Sequence, residues 1–155
     1  MEVGTKIDSF SLKGIDAKGK EITFSLNDYK GKNIVLYFYP KDNTPGCTQE
    51  ACDFRDNFNR LTSLAQVVGV SPDSVESHIK FQAKHDLNFI LLSDPEHSLM
   101  TKFGAWGEKM LYGKVNIGVI RSTFIINKEG TLVKSWKKVS VKGHVDKVIE
   151  ELKKL

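Results

Sequence analysis

Residues 33 to 39 form an apolar run, Asn33 through Tyr39, with no polar alternation after Asn33, and Pro40 closes it. A strand without alternation has no face for water, so the run suits a strand buried on both sides inside a sheet. Around it the pattern changes period. Pro45 to about Leu64 carries Ala51, Phe54, Phe58 and Leu61 at helical spacing, which predicts an amphipathic helix. Gln66 to Val70 predicts a second buried strand. Ser74 to His85 predicts a second helix with Val75, Ile79 and Ala83 on its apolar face, Ile90 to Leu92 a third strand, and Glu96 to Phe103 a short helix. Upstream, Phe10–Leu12 and Glu21–Phe24 flank Asp16-Ala17-Lys18-Gly19, a hairpin signal. Val119–Ile126 and Thr131–Trp136, joined at Lys128-Glu129-Gly130, predict a late hairpin, and His144–Leu155 a closing helix with Val145, Val148, Ile149 and Leu152 on one face.

Alternating strands and helices imply a parallel sheet with helices on both faces, and the late hairpin adds antiparallel pairing. The expectation is a three-layer α/β domain of thioredoxin-like type with a mixed central sheet and an N-terminal β-hairpin. The pattern alone leaves a flavodoxin-like strand order open. No repeat, linker or low-complexity stretch divides residues 1–155, so one domain is expected. With 40% hydrophobic residues, the chain has a core's worth of apolar side chains and is not expected to be disordered.

Composition also narrows the function classes. No apolar run approaches the roughly 20 residues of a membrane helix, and Met1–Lys6 lacks the start of a secretory signal, so a reducing cytoplasm is the expected compartment. The net charge of +4 invites a nucleic-acid reading. The positive charge is nearly all lysine spread along the chain, however, with no basic block, so a solvated surface is expected instead. Two cysteines are too few for a disulfide scaffold, and a close pair in a reducing compartment points to catalysis, redox chemistry or metal binding. A structural zinc site needs four ligands and only Cys47 and Cys52 are close, while His78, His85, His97 and His144 have no partner at helical spacing and are expected at surface or helix-end positions. Trp106 and Trp136 are expected as core or lid residues.

The segment from Tyr39 to Cys52 lies where the central strand ends and the first helix begins, the place where open α/β sheets put their ligand sites. Thr44 reads as the N-cap and Pro45 as the first helical residue, where its missing N–H costs nothing. Cys47 then falls in the first turn, where free N–H groups and the helix dipole favour thiolate over thiol. The alternative is a small buried residue under a helix start. Cys52 follows five residues later, with Cα atoms roughly 8 to 9 Å apart on an ideal helix. A disulfide wants less than about 7 Å, so a bond between the two requires the helix to unwind locally, which Gly46 assists; otherwise Cys52 is a core position. Arg121 interrupts the apolar strand Gly118–Ile126 and needs an anionic partner unless it faces solvent. The Cys47 thiolate and Glu50 are the two candidates. Asp42, Asp53 and Asp56 are expected to complement the helix dipole without a catalytic role.

Pro40-xxx-Thr44-xx-Cys47 resembles the peroxiredoxin active-site signature, and Tyr37 to Cys52 as a whole resembles the bacterioferritin comigratory protein, or peroxiredoxin Q, branch. The resemblance covers nearly the whole chain, including Gly69–Ser74, Leu91–Asp94, Trp106–Glu108, the Arg121 strand and Lys142–Val145. Ile7-Asp8 departs from the family's usual Ala-Pro. The resemblance implies a thiol peroxidase in which Cys47 is the peroxidatic and Cys52 the resolving cysteine. It also implies that Thr44 and the Cys47 N–H bind the peroxide oxygens, that Arg121 stabilises thiolate and leaving oxygen, that Pro40 shields the sulfur, and that Glu50 orients Arg121. Small-molecule peroxides are the implied substrates and thioredoxin or a similar dithiol the reductant; no metal or organic cofactor, nucleic acid or membrane is implied, and the branch resemblance favours a monomer. A peroxide-sensing switch that consumes one peroxide and stops is the alternative from another functional class.

Overall fold

The computed structural model describes residues 1–155. The chain opens with the hairpin β1 (Ser11–Ile15) and β2 (Glu21–Ser25) and a single 3-10 turn over Leu26–Tyr29. Next come β3 (Ile34–Phe38), α1 (Pro45–Asp56), the one-turn α2 (Phe58–Leu61), β4 (Gln66–Ser71), α3 (Val75–His85) and β5 (Ile90–Ser93). The remainder is α4 (Ser98–Lys102), β6 (Trp106–Leu111), β7 (Lys114–Val119), β8 (Ser122–Ile126), β9 (Leu132–Lys137) and α5 (His144–Leu152).

Seven strands pair in the order β2-β1-β5-β4-β3-β8-β9. The inner three, β3, β4 and β5, run parallel, while β1 and β8 join them antiparallel. Antiparallel β8 beside β3 removes the flavodoxin-like alternative and gives the mixed thioredoxin-like sheet.

The unbroken run in β3 is explained by the two cores that share it. Ile34, Leu36 and Phe38 point into a cluster with Val68, Val70, Leu92, Met100, Phe103 and Phe124 on one face. Val35, Tyr37 and Tyr39 point into the other, with Ala51, Phe54, Leu91, Val148 and Ile149 beneath α1 and α5. Every residue of β3 is buried, so no position in it has a solvent face.

Four local expectations are corrected. The long helix stops at Asp56: Asn57 leaves helical geometry and its side-chain amide donates to the Asp53 carbonyl at 2.8 Å, competing with the helix backbone. α3 buries His78, Phe81 and Gln82 rather than Val75, Ile79 and Ala83, because His78 and Gln82 both find hydrogen-bond partners beneath the helix. The expected strand Val119–Ile126 is broken at Ile120-Arg121, and a separate hairpin, β6–β7, precedes the break. That hairpin escapes a periodicity reading because it presents Met110, Leu111, Tyr112, Val115 and Ile117 to solvent. Finally, His78 and His144 are buried, not surface groups. The His144 Nε2 lies 2.8 Å from the Thr123 hydroxyl and its ring meets Trp136 edge-on. Burial, then Lys147 and Arg121, push its pKa down to about 4.

Tyr37 pairs with Gly69 across β3 and β4, and its ring lies over that glycine. A Cβ at position 69 would sit 2.9 Å from the ring's Cζ and 3.0 Å from its hydroxyl. Tyr37 is itself locked between Tyr39 and Phe54, with centroids 5.4 and 4.7 Å away, and has nowhere to move. Gly69→Ala is therefore expected to destabilise the chain by about 1–3 kcal/mol through overpacking, measured by denaturant unfolding; equal stability would show that the ring can shift.

Candidate active site

β3 delivers the chain to the end of the sheet, where Tyr39 still bonds β4 through Val70 and Pro40 turns it out, half-buried. The loop then folds tightly, with Asn43 in left-handed geometry at φ 62°. Thr44 occupies the N-cap position and Pro45 the first helical position, as the spacing predicts. The side chain of Thr44 does not cap, however. Its hydroxyl donates to the Lys41 carbonyl at 2.9 Å, closing the loop on itself. The first bond of α1 runs from the Thr48 N–H to the Thr44 carbonyl at 2.8 Å, so the N–H groups of Gly46 and Cys47 point out of the helix end ahead of it.

Cys47 is only 2% exposed, under that first turn. Arg121 reaches it from the break between β7 and β8. The antiparallel register pairs Ser122 with Phe38, so the start of β8 lies beside the end of β3, and the residue before Ser122 stands at the mouth of the Cys47 loop. The backbone there is pinned on both sides, by Ile120 N–H to the Ala105 carbonyl at 2.7 Å and Val139 N–H to the Arg121 carbonyl at 2.9 Å. The guanidinium is divided: Nη2 donates to the Cys47 sulfur at 3.4 Å and Nη1 to Glu50 Oε1 at 2.7 Å. Gly46 leaves it room, since a Cβ there would sit 3.3 Å from Nη2. Sequence reasoning offered the thiol and Glu50 as alternative partners for Arg121; the structure gives it both.

Burial shapes the electrostatics of this trio. Glu50 is fully buried with its second oxygen, Oε2, unpartnered. Its burial outweighs the pull of Arg121 and raises the carboxyl from 4.5 to about 7. Arg121 pays a desolvation penalty that the charges of Glu50 and Cys47 overcome, so its pKa moves up and it stays cationic. The Tyr37 hydroxyl lies buried nearby without a partner, and burial first, then Glu50 and Cys47, hold it protonated.

Both cysteines lie on α1 and both are free thiols, Cys47 buried and Cys52 partly exposed. α1 is continuous across the pair, so helix geometry keeps their Cα atoms roughly 8 to 9 Å apart. No group of three or more His, Cys, Asp and Glu side chains is gathered to hold a metal ion, and no helix is long and apolar enough to cross a membrane.

A second set of contacts on the same loop was not anticipated from the sequence. Asp42, expected only to complement the helix dipole, is buried and accepts from the Tyr39 hydroxyl at 2.6 Å and the Ser77 hydroxyl at 2.8 Å. The same carboxylate meets His78 Nδ1 at 2.7 Å. Its backbone N–H donates to Asp73 at 2.7 Å. Burial, then the Asp42 charge, raise the Tyr39 phenol well above its usual value, so it remains a donor. Tyr39 is a near neighbour in sequence, but Asp73, Ser77 and His78 lie more than thirty residues from Asp42, beyond any local spacing signal.

Residues 3–135 match the AhpC/TSA family. The chain is 53% identical over 154 residues to peroxiredoxin Bcp of Bacillus subtilis, spanning 99% of this chain and 96% of that protein. It is 51% identical over 153 residues to the putative peroxiredoxin bcp of Helicobacter pylori strain J99, spanning 98% of each. Among solved structures, the bacterioferritin comigratory protein of Xanthomonas campestris, described for its alkyl peroxide reduction, superposes with a TM-score of 0.81 at 42% identity, over 92% of this chain and 90% of that one. A cysteine-to-serine mutant of Xylella fastidiosa PrxQ superposes with a TM-score of 0.89 at 37% identity, over 99% and 96% of the two chains.

The raised Glu50 carboxyl gives a pH dependence whose sign is fixed. Between 4.5 and about 7 the folded chain holds a proton that the unfolded chain has lost. The stability Glu50 contributes is therefore fully present below about 4.5 and is lost as pH rises through about 7. Glu50→Gln lacks this titration. The melting temperature of the wild type relative to that variant is expected to fall from pH 4.5 to 7 and then level off; a difference that is flat or rises across that window would reverse the assignment.

Proposed function

Because the chain belongs to the AhpC/TSA family, in its bacterioferritin comigratory protein or peroxiredoxin Q branch, it is a thiol-dependent peroxidase, and we propose that Cys47 is its nucleophile and Cys52 its resolving thiol. The observation that carries this reading is the Arg121 guanidinium 3.4 Å from a sulfur in the first turn of α1. A cation and a helix N-terminus together favour the thiolate, the reactive form of cysteine.

In this reading the Cys47 thiolate attacks the terminal oxygen of a peroxide. An S–O bond forms, the O–O bond breaks, and the departing oxygen takes a proton to leave as water or an alcohol, with Cys47 now a sulfenic acid. The Cys47 N–H donates to the peroxide. The Thr44 hydroxyl has committed its proton to the Lys41 carbonyl, so its oxygen accepts from the peroxide O–H. Arg121 stabilises first the thiolate and then the charge developing on the leaving oxygen. Glu50 holds the guanidinium through Nη1, and half-buried Pro40 limits water at the sulfur.

The sulfenic acid next condenses with the Cys52 thiol, forming a disulfide and releasing water, and an external dithiol such as thioredoxin returns both thiols. An intact α1 keeps the sulfurs apart, so the first turns of the helix must open once per cycle. Residues 1–155 work as a single domain, a reading supported by the two cores sharing one sheet. The chain acts as a cytoplasmic monomer on hydrogen peroxide and organic hydroperoxides, as the branch resemblance implies.

The test is a coupled peroxide assay with thioredoxin and its reductase, run beside the variants. Wild type is expected to turn over continuously, Cys47→Ser to lose all activity, and Cys52→Ser to be oxidised once and stall. Mass spectrometry of oxidised wild type is expected to show an intrachain Cys47–Cys52 bond; its absence removes the resolving role. Arg121→Ala is expected to slow Cys47 oxidation by about 10²-fold or more, and an unchanged rate would remove its role. Oxidation is expected to reduce the helical circular-dichroism signal and reduction to restore it.

A further inference from the structure

His78 faces two acceptors. Its Nε2 lies 2.8 Å from the Leu92 carbonyl, which can only accept, so Nε2 carries a proton. Its Nδ1 lies 2.7 Å from Asp42 Oδ2, a carboxylate already receiving the Tyr39 and Ser77 hydroxyls. One proton lies on this contact, so both ring nitrogens are engaged. The ring is fully buried and Asp42 nearly so. A buried polar pair costs desolvation that an apolar pair of the same volume would not, so stability alone gives no reason for it. What it does is fix a position. Asp42 is the middle of the turn that runs from Pro40 to Thr44; its partners come from the end of β3, the β4–α3 connection and α3, and His78 is in turn held to β5 through the Leu92 carbonyl.

We propose that His78 is a positioning residue for peroxide reduction: held by the Leu92 carbonyl on one side, its ring fixes Asp42 and thereby the Lys41–Thr44 turn that sets the Thr44 hydroxyl and the start of α1 against Cys47. This deepens the reading of Cys47 as the nucleophile and rests on it. The turn is otherwise secured by the Asp42 N–H on Asp73 and by a longer contact of 3.3 Å from His85 to Asn43 at its exposed edge. The Asp42 side chain is its most deeply buried anchor. Misplacing reacting groups by about 1 Å can cost about 10²-fold in rate.

Two measurements test this. Nitrogen-detected NMR of the wild-type histidine rings is expected to show His78 Nε2 protonated and Nδ1 in a strong hydrogen bond; an unprotonated Nε2 or a free Nδ1 overturns the proposal without any variant. Stopped-flow measurement of Cys47 oxidation by hydrogen peroxide, at a temperature where circular dichroism shows each variant folded, supplies the second. His78→Leu is expected to slow oxidation by about ten- to a hundredfold. His78→Asn, whose amide donates from the place of Nδ1, is expected to recover most of that loss. An unslowed leucine variant, or an asparagine variant as slow as leucine, overturns the proposal. If wild-type Cys47 itself is not oxidised, it is the nucleophile assignment that fails, so the two failures are distinct.

Discussion

The guanidinium of Arg121 stands between a sulfur and a buried carboxylate, and much of the architecture serves to put it there. A cation this deep needs anions on more than one side to be tolerated. Glu50 supplies one as its carboxyl ionises near pH 7, and Cys47 supplies the other when it ionises. The three groups come from two chain segments more than seventy residues apart, and only the antiparallel placement of β8 against β3 brings those segments together at one end of the sheet. A parallel strand at that position would present its other end to the Cys47 loop. The mixed sheet is thus a requirement of the site.

Much of this was legible in the sequence because each feature has a local physical cause. The unbroken run in β3 announced burial on two sides. Thr44-Pro45 announced a helix start, and an arginine in an apolar stretch announced an anionic partner. What stayed hidden was polar burial. Periodicity assumes that the buried face of a helix is its apolar face, and α3 violates that assumption because His78 and Gln82 are satisfied from distant segments, by Asp42, Leu92 and Asp16. The β6–β7 hairpin was hidden for the converse reason: its apolar residues are outside, Tyr112 being 97% exposed, so no buried face imposed a pattern. The break at Ile120-Arg121 was hidden with it, because the strand ends where that hairpin's own sheet stops, and Arg121 stands at a pinned junction rather than inside a strand.

The loop that carries the chemistry is restrained very unevenly. Up to Thr44 it is tied by Asp42, Asp73, Lys41 and the end of β3. Beyond Pro45 it becomes ordinary helix, held by backbone bonds and by the packing of Ala51 and Phe54. On the proposed mechanism, which needs a fixed peroxide site in one step and an opened helix turn in the next, the division puts Thr44 on the restrained side and both thiols on the other.

The interruption at Asn57 completes that division at the far end. A helix frays cooperatively, so an uninterrupted helix running to Leu64 would tend to transmit any opening at Cys47 into Leu61 and the segment leading to β4. With the helical ladder broken after Asp56, the stretch bearing both thiols becomes a separate folding unit, bounded by a tethered turn before it and a break behind it. An opening at Cys47 then has no continuous ladder to follow past Asp56 toward β4, while Ala51 and Phe54 hold the second half of α1 to the core beneath the sheet.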